Sequence, residues 1–499
     1  MPLLYYLLAF IEGACVMAAE LLGAKMMAPF FGSSLYVWAS ILGITLGGLA
    51  LGYFVGGVLS EKNNKERNLY FILLSSSVFL MTMPMLAKTV MVHVSGFSLL
   101  TAILISALFF LFPPVFFMGM VSPMIVRCVG FNSGKAAGTV YAISTAGGIL
   151  STFFLGFYAI PHFGLSKPAI LLGIILGVIP FFKLIASRNF YSLFFLLTVF
   201  VSLSGSKPVS IYPGIHIHYS SEGILGQIIV ADYPTYDDTV KTGFQRILFV
   251  NRSMQTIEEH SKGKIKYFEY VDKIFDFVKP KQGGNALVMG LGGGSIANKL
   301  AESGYSPKVV ELDARMVQCA KKYFNLSDKV TIFEDDARHY LQTADKGNND
   351  VIVLDAFVGE VNPHHLFTKE FFGILRTHLS DSGMLVINGN GFWNGETGRG
   401  MRSICKTLTA SGFDVQIVPT NSFEDYRNIL FIAKKSKNSS GRAFSTSIES
   451  IDLSQDIILC DDKPQLEILN AQANKRWREG CLKYLLGGYY SGKDVLLFR

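Results

Sequence analysis

Charge is scarce in the first 206 residues, and much of it falls between long apolar runs. Beyond them, charged residues become frequent. That split excludes a single globular domain and implies a membrane half followed by a soluble half. Metal-binding cysteine patterns are missing as well. Cys15, Cys128, Cys319, Cys405, Cys460 and Cys481 form no CxxC pair and no ligand spacing, so they read as reduced thiols. The nine histidines include the pair His364-His365 but no HExxH pattern, which argues against zinc; no metal is expected. The net charge of +7 comes without a basic stripe interleaved with aromatics, so nucleic acid is not an expected partner. No internal repeat is found.

What the chain does have is apolar length. Half of its 499 residues are hydrophobic. Runs near 3–27, 35–59, 69–95, 98–126, 136–160, 168–187 and 190–206 are each read as spanning a hydrocarbon core of about 30 Å. The first run is too long, and too closely followed by others, for a cleaved signal peptide. Pro113-Pro114 should kink or break the fourth. Glycines crowd the second and fifth, which favours close helix packing. Glu12, Glu20 and Lys25 sit in or beside the first run. They mark a polar path or substrate vestibule between helices, a structural ion pair with Arg127 or Lys135, or simple snorkelling. Loop charges give a conflict. Lys62, Lys65 and Arg67, then Arg127 with Lys135, then Lys183 with Arg188, agree on one cytoplasmic side. Seven crossings then put the C-terminal half outside, where a cytosolic cofactor cannot reach it. So either 98–126 makes two passes, another span is re-entrant, or 190–206 lies in the interface, and the cofactor is the stronger guide.

Past residue 207 the pattern changes. Short β-rich runs at 214–219, 224–231 and 245–250 predict a small antiparallel sheet. Residues 264–278 have helical spacing. Strands and helices then alternate: 286–290 with 295–303, 308–312 with 313–323, 329–333 with 336–343, 350–354 with 368–378, and 384–388 with 399–410. Strands at 413–418 and 428–433 close the series. This predicts a parallel, doubly wound sheet. A further helix is expected at 464–485.

Four strand ends carry candidate site residues. "LVMGLGGGS" places Gly290, Gly292, Gly293 and Gly294 in the turn from the first strand to the first helix, where a ligand's backbone approach is closest. Glu311 ends the second strand, suited to accept from both ribose hydroxyls. In "EDDARHYL", Asp336 could accept an adenine amine and the Ala337 N–H could reach a ring nitrogen. Asp355 ends the fourth strand in "VIVLDAF", above the crevice. Together they predict an adenosine-type ligand.

These residues resemble the polyamine aminopropyltransferases (spermidine synthases) over about 214–435. With "ELLGAKMMAPFFGSSLYVW" upstream, the whole chain resembles their membrane-fused bacterial branch. The resemblance implies an α-helical multi-span membrane bundle plus an α/β Rossmann-like (class I methyltransferase-like) domain behind a small N-terminal β-domain. The expected divisions are 1–206 membrane, 207–262 β subdomain, 263–435 catalytic domain and 436–499 appendage. It implies transfer of an aminopropyl group from decarboxylated S-adenosylmethionine to an amine, releasing methylthioadenosine. Asp355 would take the proton. Gln227 and Gln255 would reach the nucleoside, and Tyr267, Glu269 and Glu360 the amine. It further implies a multi-pass protein of a bacterial inner membrane, with the soluble half cytoplasmic and a homodimer as an open option. The chain departs from the family at Asn251, Phe268, Val358 and Asn421. Ser295 stands where the family has an aspartate that grips the donor ammonium. Helix N-terminal amides there favour an anion. Intact S-adenosylmethionine, with methyl or aminocarboxypropyl transfer, is therefore a second reading. A nucleoside sensor without catalysis is a third.

Overall fold

A computed structural model describes residues 2–204 except 32–34, 63–64, 95–96 and 130–132, and residues 215–485 except 224, 238–239, 346, 439–440 and 449–450. The expected 206/207 boundary lies outside the described residues. The chain separates into two compact units, one of apolar helices and one containing everything described from residue 228 onward.

The first unit is a helical bundle. Its helices are α1 (Pro2–Phe31), α2 (Leu35–Ser60), α3 (Lys65–His93), α4 (Leu99–Phe110), α5 (Phe112–Val129), α6 (Ser133–Phe154), α7 (Ile160–Phe163), α8 (Ser166–Ala186) and α9 (Leu193–Ser204). A π-helical turn, Leu155–Ala159, joins α6 to α7. Among the described residues six helices are long and apolar enough to cross a membrane, not the seven expected. Among the described residues, the expected span at 190–206 contains a 3-10 turn and the 12-residue α9. At 1.5 Å per residue it reaches about 18 Å, well short of a hydrocarbon core. The expected span at 98–126 is interrupted at Leu111, yet Leu111 still donates to Ala107 and Val115 to Leu111. Pro113 and Pro114 have no N–H to continue that ladder, so α4 and α5 form one broken rod.

Glycines set the tightest seams. A Cβ on Gly13 would fall 1.9 Å from the Ser144 carbonyl oxygen, and one on Gly147 would fall 2.1 Å from that of Phe10, so α1 and α6 touch backbone to backbone. Gly52 and Gly56 bring α2 nearly as close to α5, where a Cβ on each would fall 2.4 and 2.5 Å from the Phe116 and Met120 carbonyl oxygens. Glu12 is buried on α1 and accepts a hydrogen bond from Ser144 Oγ on α6 at 3.1 Å. Ser122 is a second partner, so among the described residues Glu12 is held by hydroxyls rather than by Arg127 or Lys135. Large side chains such as Phe54, Phe157 and Phe200 stay on the outside, as lipid-facing positions require.

The second unit begins with a five-stranded antiparallel sheet in chain order: β1 (His216–Gly223), β2 (Gly226–Asp237), β3 (Val240–Val250), β4 (Ser253–Ser261) and β5 (Lys264–Tyr267). The helix expected over 264–278 is cut short. Lys262 and Gly263 take positive φ and turn the chain, so residues 264–267 pair with β4. Only α10 (Glu269–Phe275) is helical.

The elements that follow are β6 (Gly284–Met289), α11 (Ser295–Glu302), β7 (Tyr305–Glu311), α12 (Ala314–Tyr323), β8 (Thr331–Glu334), α13 (Ala337–Thr343), β9 (Asn349–Leu354), α14 (Lys369–His378), β10 (Leu379–Asn390), α15 (Arg399–Ala410), β11 (Phe413–Pro419), β12 (Asn428–Lys435), β13 (Ala443–Phe444) and α16 (Leu466–Leu485). The strands form one sheet ordered β13-β11-β12-β10-β9-β6-β7-β8. The sheet is mixed rather than all parallel, because β12 runs antiparallel to both β10 and β11. From β6 the chain winds first to β7 and β8, then crosses to β9 and β10, so the switch point lies between β6 and β9. Ligands of doubly wound sheets bind beyond the carboxyl ends at such a point. Met289 pairs with Val310 and Leu354, and Leu354 with Ile387. Gly290, Glu311, Asp355 and Asn388 therefore reach one edge.

Candidate active site

The glycine turn closes directly on Asp355. Gly290 takes φ +93°, and a Cβ there would lie 2.2 Å from the Asp355 carbonyl oxygen, so only glycine lets β6 and β9 end side by side. The turn is buttressed from the small sheet: Gly293 N–H donates to Thr256 Oγ1 at 2.8 Å. A Cβ on Gly293 would meet Thr256 Cγ2 at 2.8 Å. Ser295 opens α11. It is 6 % exposed, and its Oγ has no hydrogen-bond partner among the described residues.

Glu311 is buried and faces the same turn. Its Oε2 accepts from Leu291 N–H and its Oε1 from Asp313 N–H, both at 2.9 Å. Burial pushes its carboxyl above the ordinary range despite those bonds. The Leu312 N–H bonds the same carboxylate, which still keeps acceptor capacity for a further donor. Asp336 caps α13, accepting at Oδ1 from Arg338 and His339 N–H and at Oδ2 from His365 Nε2 at 3.0 Å. Burial raises its carboxyl, but these bonds outweigh it, and the net position is below the ordinary value. Ala337 is the buried first residue of that helix.

Asp355 is half-buried at the end of β9, and both carboxylate oxygens are engaged. Tyr270 OH donates to Oδ2 and Asn388 Nδ2 to Oδ1, each at 2.8 Å. Asn388 Oδ1 in turn accepts from Asn428 Nδ2 at 3.0 Å. Desolvation holds the Asp355 carboxyl above its usual range, and the two hydrogen bonds only partly offset it. A carboxylate with a raised proton affinity, positioned by neutral donors, is equipped to accept a proton.

Other sequence-predicted residues fall in different places. Gln255 Nε2 donates to the Gly359 carbonyl at 2.8 Å, tying β4 to the loop after Asp355. Glu360 is buried in that loop. Gln227 lies on β2. Glu269 is exposed and accepts from Asn421 Nδ2 at 3.2 Å. Tyr267 sits under the Lys299 ammonium, 5.7 Å from its ring, and lines a cavity formed without Asp355. The tyrosine that reaches Asp355 is Tyr270, three positions on. Sequence reasoning passed over it, along with Thr256, Asn388 and Asn428. Asn388 had a legible signal, a polar residue ending an apolar strand at the same edge as Asp355. Among the described residues no group of three or more His, Cys, Asp or Glu is arranged to hold a metal.

Residues 267–441 match the family model described as the spermine/spermidine synthase domain. The chain is 39 % identical over 147 residues to a polyamine aminopropyltransferase of Vibrio vulnificus, a match covering 27 % of this chain and 48 % of that protein. It is 37 % identical over 110 residues to an N-terminal histidine N-methyltransferase of Emericella nidulans, covering 21 % of this chain and 20 % of that one. The chain thus spans half or less of these relatives' lengths. Among solved structures, a probable spermidine synthase from Corynebacterium glutamicum aligns at 21 % identity over 46 % of this chain and 81 % of that one, with a TM-score of 0.34. The C-terminal half carries a spermidine synthase-like domain, and the N-terminal half a set of apolar helices.

Proposed function

We propose that the protein is a membrane-bound aminopropyltransferase acting on an amine with decarboxylated S-adenosylmethionine as donor. The observation that carries this reading is the Asp355 carboxylate, set beside the glycine turn and pinned by Tyr270 and Asn388. In the reaction the amine nitrogen attacks the propyl carbon next to the sulfonium. The C–S bond breaks, its electron pair neutralises sulfur, and methylthioadenosine leaves. Asp355 orients the amine and takes its proton. The glycine turn and Glu311 hold the nucleoside, with Asp336 and Ala337 toward the base. Mass spectrometry of products tests this, using purified full-length protein, decarboxylated and intact donors, and a panel of amines. An aminopropylated amine is the expected product. Absence of any product with either donor would leave only the sensor reading.

Ser295 supports one alternative. A buried hydroxyl without a partner among the described residues, at the N-terminus of α11, suits the carboxylate of intact S-adenosylmethionine. Methyl or aminocarboxypropyl transfer from the intact donor in the same assay would establish it.

The pH profile gives a finer check. Asp355 must be ionised to accept a proton, so activity appears as pH rises through its pKa. The Tyr270 hydroxyl stabilises the ionised form. In Tyr270→Phe the pKa rises further, and the acid limb of the rate profile should move to higher pH.

A count of six crossings supports one reading of the orientation. If α9 does not cross, the charge rule would put the loops carrying Lys62, Lys65 and Arg67, Arg127 with Lys135, and Lys183 with Arg188 on the same side of the membrane as the C-terminal half. We infer that this side is the cytoplasm. Cysteines introduced at 61–68 and in the soluble half should both resist impermeant labelling of intact cells. Labelling of the soluble half from outside would reject this orientation.

A further inference from the structure

The second unit holds a cavity of about 260 Å³ that the proposed reaction does not use. Glu258, Tyr267, Asn298, Glu302, Ser327 and Lys329 supply its polar lining. Glu258 on β4 and Tyr267 on β5 are direct cross-strand partners. The Glu258 side chain is 3 % exposed, yet it borders this space. Its Oε2 contacts His260 Nε2 at 3.2 Å, and its Oε1 accepts no hydrogen bond from the described residues.

Burial pulls the His260 imidazole toward its neutral form, and among the described residues no lysine or arginine pairs with this buried carboxylate. Arg246 is near enough to be felt electrostatically, but its guanidinium is committed to Asp232 and to the Tyr323 carbonyl. Lys299 is held by Asp272, and Lys329 is exposed at the rim. Desolvation accordingly pushes Glu258 up to about 7. The neutral polar groups are partly committed. Asn298 Oδ1 accepts from Ser327 N–H, Asn298 Nδ2 donates to the Asn325 carbonyl, and Ser327 Oγ accepts from Lys329 N–H. Lys329 stands at the rim and the Tyr267 ring already lies under the Lys299 ammonium; the Glu258 and Glu302 carboxylates face the space, and Glu258 keeps an open acceptor oxygen. An acceptor of that kind recognises the N–H groups of a cation. The cavity is smaller than the roughly 300–1,000 Å³ of sites for drug-sized ligands, which favours a compact, unbranched molecule. The lack of a metal-holding cluster among the described residues points to an organic cation.

The cavity is wired to the glycine turn. Thr256 stands two residues before Glu258, on the same face of β4, and it is the residue that receives the Gly293 N–H. Asn298 and Glu302 lie on α11, the helix that the turn opens into. A ligand drawing Glu258 and Glu302 together would therefore bear on both supports of the turn.

We propose that this cavity is a second binding site, for a small organic ammonium ion such as a primary diamine, and that its occupancy adjusts nucleoside affinity. Binding stands on the cavity alone, whereas the regulatory part rests on the proposed nucleoside site. The probe is 1,4-diaminobutane, titrated calorimetrically into full-length protein in detergent, with and without methylthioadenosine. Wild type and Asp355→Asn should both bind it. Glu258→Gln should weaken binding at this site at least tenfold, and Glu302→Gln, at the exposed rim, about threefold. The diamine should shift methylthioadenosine affinity at least threefold in wild type and leave it unchanged in Glu258→Gln. Native-like folding of each variant is checked by its thermal melt, and Glu302→Gln carries the test if Glu258→Gln fails to fold. Undetectable diamine binding, binding unaffected by both glutamate variants, or binding lost only in Asp355→Asn would each overturn the site. An unchanged nucleoside affinity would overturn the regulation alone. Failure of methylthioadenosine to bind at all would defeat the proposed function while leaving the diamine arm readable.

Discussion

Asp355→Asn is expected to abolish group transfer while leaving nucleoside affinity within a few-fold. The substitution keeps size and one acceptor oxygen but removes the charge and the proton acceptor. Loss of a positioned base costs about 10²–10⁴ in rate. The new amide also brings an N–H toward a group that already donates. Tyr270 and Asn388 both donate to the carboxylate, and Asn388 cannot turn over freely because its oxygen serves Asn428. Some stability, about 1–3 kcal/mol for one unsatisfied polar group, should go as well. Turnover is to be measured under saturating donor, affinity by calorimetry with methylthioadenosine, and folding by thermal melt. Full turnover with any acceptor would mean that Asp355 is not the base.

Glu311→Gln should reverse the emphasis. In the wild type each carboxylate oxygen already serves one main-chain N–H, from Leu291 and from Asp313. Glutamine has one oxygen where two are needed. Its NH₂ would face one of those N–H groups, disturbing the glycine turn, and would remove an acceptor from one ribose hydroxyl. Hydrogen bonds to a charged partner contribute about 1.5–3 kcal/mol each, and about 1.4 kcal/mol is tenfold in affinity. Nucleoside affinity should therefore fall tenfold or more, with turnover at saturating donor changed far less. Unchanged affinity would remove Glu311 from the ribose site.

The edge of the sheet was legible because alternating strands and helices bring every other loop to the same end. Gly290, Glu311, Asp336 and Asp355 could be aligned there by counting strands. What counting could not supply was orientation across elements. Tyr267 and Tyr270 both sit in an aromatic run, and local periodicity does not say which one meets Asp355. The choice depends on the turn at Lys262 and Gly263, which makes Tyr267 the last residue of a strand. The reversed direction of β12 was equally hidden, since an apolar run looks the same in either sense. Asn428 reaches Asn388 only because β12 runs backwards. In the bundle, hydropathy counted apolar residues through 190–206, but a 3-10 turn at Phe190–Ser192 interrupts the run and leaves α9 too short.

The seam between α1 and α6 has a mechanical consequence. Gly13 rests on the Ser144 carbonyl and Gly147 on that of Phe10, so the two rods have no slack between them. The bond from Ser144 to Glu12 crosses the same line and opposes twisting. Close-packed contacts of this kind yield by jumping between discrete arrangements rather than by stretching. α1 and α6 therefore travel as a single strut. Whatever flexing the bundle undergoes is carried by its looser joints, with the broken rod at Leu111 and the π turn beyond α6 as the natural hinges.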